Sequence, residues 1–99
     1  MGLLNCDEKR KLEAILSNLG TSSNKINQIL DDVVKRHKGN YLISFLEESN
    51  EIFISLISDK SVEHSKTMRD EADKILRLNI PREAYNKLIM MYATEDDIE

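Results

Sequence analysis

The sequence is poor in the residues that build covalent frameworks and reactive centres. Cys6 is the one cysteine in 99 residues, so no disulfide can form within the chain. Such sparse cysteine usage fits a reducing, cytoplasmic setting. Tryptophan is absent, aromatic residues make up 5%, and Pro81 is the one proline. The three glycines are Gly2, Gly20 and Gly39, a distribution that leaves no glycine-rich phosphate loop. No apolar run approaches the roughly 18 residues of a membrane-spanning helix. Residues 1–6 meet charge too soon for a secretory signal. They loosely resemble a myristoylation start, but Cys6 stands where Ser or Thr is preferred.

The same scarcity argues against catalysis and metal binding. His37 and His64 are the two histidines, and their separation is not the i, i+4 spacing of a helical zinc pair. His64 lies beside Glu63, but adjacent helical residues do not face each other. A Cys–His nucleophile would have to bring Cys6 to a distant histidine. The adjacent carboxylates Asp31–Asp32, Glu47–Glu48, Asp70–Glu71 and Asp96–Asp97 read as solvated surface, because a shared-proton pair needs burial. The expectation is a protein without enzymatic activity, cofactor or metal.

What the chain does contain is 40% hydrophobic and 32% charged residues, a composition of one folded domain. Its net charge is −4, so a chain-wide basic footprint for nucleic acid is lacking. The reading is a single domain over residues 1–99, with 1–5 and 94–99 frayed.

Periodicity predicts an all-α bundle of about five helices, three-quarters helical and with no sheet. Asn5 with Glu8 makes a capping box, and Leu12, Ile15, Leu16 and Leu19 form a stripe that Gly20 ends. Residues 21–23 supply caps for a second helix with Ile26, Ile29, Leu30, Val33, Val34 and His37 on one face. Gly39 ends that helix, after cations that complement its dipole. A third helix is predicted over residues 40–58, capped by Asn40. It is apolar on two sides: Leu42, Phe45, Leu46, Phe53 and Leu56 on one, Ile43, Ile54 and Ile57 on the other. The run at 52–57 also has strand character, but no second strand is identified to pair with it. After the turn residues 58–61, Ser65, Met68, Ala72, Ile75 and Leu76 mark a fourth helix, laced with i, i+4 pairs such as Lys66 with Asp70 and Arg69 with Asp73. Asn79-Ile80-Pro81 breaks the chain. A fifth helix is predicted from Pro81, with Ala84, Tyr85, Leu88, Ile89 and Tyr92 inward.

Residues 68–92, with Tyr85-Asn86-Lys87-Leu88 and Tyr92 as the motif, resemble the C-terminal helical hairpin of small phage double-stranded-DNA-binding proteins. The turn lacks that family's glycine. The resemblance implies a helical, often oligomeric, sequence-tolerant DNA binder. Read as a helix-turn-helix unit, the hairpin spanning 66–92 would contact DNA through Arg82, Asn86 and Lys87, and the basic end of the second helix would add Lys35, Arg36 and Lys38. In length, helix count and acidity the chain is also similar to the bacteriocin immunity proteins, a likeness of fold alone.

The leading reading is a regulator or adaptor that binds another protein through helical surfaces. The surplus apolar faces of residues 40–58 suggest a homo-oligomer contacting through Ile43, Phe53, Ile54 and Ile57. Abundant Ile, Asn, Lys and Ser suit an AT-rich source, such as a phage or mobile element whose product modulates a host or defence protein. DNA binding is the alternative function.

Overall fold

In the computed structural model, which describes residues 6–46 and 48–94, the chain is an α/β protein. Four helices stand with a three-stranded mixed sheet. The all-α bundle is therefore corrected. Helices α1 (Cys6–Asn18) and α2 (Ser23–His37) precede strands β1 (Asn40–Leu46) and β2 (Glu51–Ser58). Helix α3 (Val62–Asn79), the single turn α4 (Arg82–Tyr85) and strand β3 (Leu88–Thr94) follow.

The first two predicted helices and the fourth form, with their stripes inward. Leu12, Leu16, Ile26, Leu30, Val33, Met68, Ala72 and Leu76 are all buried. Their ends follow local chemistry. Ser22 accepts a hydrogen bond from the Lys25 N–H and Ser61 from the His64 N–H, capping α2 and α3. Gly20 adopts φ +82, and the Thr21 N–H closes onto the Leu16 carbonyl, a left-handed helix end that suits glycine. The Asn5 cap and residues 95–99 lie outside the described residues.

The predicted third helix is instead the β1–β2 hairpin. Tyr41, Ile43 and Phe45 oppose Leu56, Ile54 and Ile52 in antiparallel register. β-branched and aromatic residues alternate along both segments, the pattern of a pleated surface. Asn50, at φ +56, supplies the left-handed residue at the turn. The missing partner for residues 52–57 is thus the segment directly before them. The predicted fifth helix is likewise corrected. It stops after one turn, and Leu88–Thr94 pairs parallel to β2, with Ile52 against Leu88 and Ser58 against Thr94. A parallel neighbour requires a long crossover, which α3 provides.

All helices that contribute to the core do so on one side of the sheet. Tyr41, Ile43, Ile52, Ile54, Leu56 and Leu88 meet α1, α2 and α3 there, with Phe45 and Met90 at the margin. Gly39 sits where the chain turns from α2 into β1. A Cβ there would come within 2.6 Å of Met68 Sδ and 2.8 Å of the Ile57 carbonyl oxygen. The methionine can shift but the strand backbone cannot. Gly39→Ala is expected to lower stability by about 1–3 kcal/mol, as measured by urea unfolding, with the mixed α/β circular dichroism of the folded state unchanged.

Candidate interaction surfaces

The second face of the sheet carries Leu42, Ser44 and Leu46 from β1, Glu51, Phe53, Ser55 and Ile57 from β2, and Ile89, Met91 and Ala93 from β3, placed by strand alternation and register. None of these side chains belongs to the core cluster. Leu46 is 43% exposed and Met91 40%. Across the sheet they form rows, Ser44–Phe53–Ile89 and Leu42–Ser55–Met91, and neither row carries a charge. Three strands at ~4.8 Å spacing and seven or eight residues long give a face on the order of 300 Å². That is the size of the largest apolar patch on an ordinary monomer.

On the helical side, polar groups are tied into two clusters. At the α2–α3 contact, Arg36 Nη2 donates to Glu71 Oε2 at 2.6 Å and His37 Nε2 lies 3.3 Å from the same oxygen. The hydrogen bond from Arg36 holds the Glu71 carboxyl below the usual range, and Glu71 raises Arg36 in return. His37 meets His64 edge-on, with ring centres 5.3 Å apart. His64 Nδ1 is hydrogen-bonded to Ser58 Oγ at 2.6 Å. Serine and histidine at this distance have the elements of a nucleophile and base, but Ser58 is 1% exposed. Its hydroxyl also accepts the Lys60 N–H, and its own N–H donates to Ser65 Oγ. Ser65 Oγ donates in turn to the Ala93 carbonyl at 2.6 Å. These bonds tie the end of β2, the start of α3 and the end of β3 together. Among the described residues, no group of three or more histidines, cysteines or carboxylates could hold a metal ion.

The second cluster floors a cleft of about 530 Å³ between α1, α2 and the hairpin. Leu16, Ile26, Ile43 and Ile52 line its base, and Lys9, Glu13 and Asp31 stand on its walls. The Tyr41 hydroxyl donates to Asp31 Oδ1 at 2.9 Å, with Asn27 Oδ1 at 3.3 Å as a second acceptor. Burial, reinforced by the Asp31 carboxylate, pushes the Tyr41 phenol up to about 12.

The structure divides the interface expected from the sequence. Ile43 and Ile54, 7% and 0% exposed, belong to the core, and Ile57, although strand alternation puts it on the second face, is itself buried at 4%; of the four, Phe53 alone is a partly exposed residue of that face. A helical stripe joining them does not exist, because strand alternation sends neighbouring residues to opposite faces. The second-face residues Leu42, Leu46, Ile89 and Met91 were not among the expected interface residues. Their signal was two-residue alternation, which the competing three-to-four spacing obscured. The basic residues proposed for DNA are dispersed. Lys35 is exposed on α2, Arg36 is bound to Glu71, and Lys38 caps α2 at φ +56. Arg82, Asn86 and Lys87 flank the four-residue α4 and the entry to β3. The hairpin of residues 66–92 therefore has no second helix to present to a groove. No described helix is long and apolar enough to cross a membrane.

A folded-state phenol above its ordinary value of 10 stabilises the fold below pH 10 and ceases to do so as pH rises through about 12. In the Tyr85→Phe, Tyr92→Phe background, absorbance at 295 nm is expected to show Tyr41 ionising near 12, with unfolding following over the same interval. Ionisation near 10 without loss of structure would remove the Tyr41–Asp31 bond from the account.

Compared with known proteins, the chain matches no family model, no curated protein and no solved structure.

Proposed function

We propose that this chain is a non-enzymatic regulator or adaptor that binds protein, and that it works as a homodimer joined through the second face of its sheet. One observation carries the reading: the apolar rows around Phe53 and Met91 lie outside the core and hold no charge. Such a face favours an apolar partner. Its two central rows are uncharged, with Glu51 at one margin beside Leu46, so the centre can pack on a copy of itself under a two-fold axis, where each residue meets the same surface. Two sheets packed face to face at ~10 Å bury both surfaces. A chain of 99 residues gains stability by this route. The sheet thus replaces the helical surface expected from the sequence. The helical side is left for the regulated protein.

The face is small for a stable interface, so the dimer is expected to dissociate in the micromolar range. Sedimentation velocity between about 1 and 200 μM should show the monomer–dimer transition. Phe53→Asp places a carboxylate at the centre of the face without entering the core. It should leave a folded monomer throughout that range. A wild-type monomer at every concentration, or a Phe53→Asp dimer, would overturn the assembly. Ile54→Glu, in contrast, introduces a charge at a fully buried core position and is expected to unfold the chain.

A further inference from the structure

β3 is an edge strand: among the described residues it pairs with β2 alone. The Ile52 N–H donates to the Lys87 carbonyl at 2.8 Å, which directs that carbonyl toward β2. Strand alternation then turns the N–H and C=O groups of Leu88, Met90 and Tyr92 to the open side. A groove of about 460 Å³ accompanies this edge. Arg69, Asp70 and Asp73 of α3 line one side, Leu88 and Met90 the other, and Tyr85 and Asn86 its end. Tyr85 donates to Asp73 at 2.6 Å, and Arg69 lies 4.9 Å over the Tyr92 ring, so the walls are held in place. At the α4 end, Tyr85 and Asn86 are shared with a further pocket of about 230 Å³ that adds Arg77 and Arg82. Neither arginine is in an ion pair with a described residue.

We propose that this edge and groove bind the C-terminal end of a partner protein as an added β-strand. The strand runs antiparallel to β3 and delivers its terminal carboxylate to Arg77 and Arg82. Backbone bonding to an exposed edge supplies affinity, and the pockets beside it supply specificity. The argument for a chain terminus is positional. The arginine pocket lies at the beginning of β3, where an antiparallel added strand ends, and two guanidinium groups suit a carboxylate. The charge order along the groove completes the ligand. Asp73 precedes Arg77 by four helical residues, about 6 Å along the axis. Two residues of an extended strand span ~6.6 Å. The residue two before the terminus therefore comes alongside Asp73, where a lysine or arginine matches the charge; Asp70 is already paired with Arg69.

This surface is separate from the dimer face, and the two fail separately. The test uses the full chain against pooled random heptapeptides with free C-termini, followed by fluorescence anisotropy of the selected peptide. Enrichment of a basic residue two before the terminus is expected, with at least a tenfold loss of affinity when the terminus is amidated. The Arg77→Ala, Arg82→Ala double variant should lose affinity to a similar extent and keep the dimer. Met90→Pro removes an N–H on the open side without removing a bond to β2, a substitution that edge strands tolerate. It should abolish binding while circular dichroism and the oligomeric state stay as in the wild type. Failure to enrich any peptide, or amide binding within twofold of the free acid, would overturn the proposal. So would dissociation of the dimer by Met90→Pro, since that result gives the edge to a second copy.

Discussion

The structure depends on burying one face of β2. Ile52, Ile54 and Leu56 are 1%, 0% and 0% exposed, and the strand is paired on both sides. Everything around it serves that burial. α3 crosses with Met68, Ala72 and Leu76 inward, and the hairpin brings Tyr41 and Ile43 alongside. α2 then closes over β1 and α3. The close approach at Gly39, with Met68 and the Ile57 carbonyl where a side chain would be, is the tightest consequence of this arrangement. Interiors packed to this degree tolerate little added volume.

Polar chemistry follows from the same layering. The cations at the end of α2 satisfy its carbonyl dipoles, as their sequence position suggests, but they also meet Glu71 across the helix–helix contact. The carboxylate neighbours Asp70 and Glu71 serve different partners: Asp70 pairs with Arg69 beside it on α3, and Glu71 reaches Arg36 on α2. Asp73, expected to support Arg69 along the helix, instead accepts the Tyr85 hydroxyl from α4. The hydrogen bond holds Tyr85 above its ordinary value. Arg36 and His37 thus join α2 to α3 through Glu71, and the Tyr85–Asp73 bond joins α4 to α3.

The helical half of the fold was legible because its signals were local. Ser22, Gly20, Ser61 and the break at Asn79–Pro81 act through atoms a few residues away. The sheet was not legible for a physical reason. In residues 40–58, apolar side chains occur densely enough to satisfy both a two-residue and a three-to-four-residue period, and only pairing decides between them. The same ambiguity divided the expected interface, placing Ile43 and Ile54 in the core and Phe53 and Ile57 on the second face. In β3, the run Leu88–Tyr92 follows Pro81 and the single turn α4, which do start a helix. Its conformation is set by β2, 36 residues earlier at the Ile52–Leu88 pair. The groove beside β3 could not be read before that pairing was known.

The parallel placement of β3 also has a consequence for how the chain is made. β1 and β2 are joined by a short turn and can pair as soon as both have been synthesised. The other side of β2 cannot be closed until Leu88–Thr94 has emerged and α3 has brought it back. At ordinary synthesis rates of about 5–20 residues per second, that interval lasts on the order of seconds. Throughout it the Ile52–Ile57 run, rich in β-branched and aromatic residues, is an unpaired sheet edge with apolar side chains on both faces. The most deeply buried strand of the finished protein is therefore, during its birth, the segment most in need of protection.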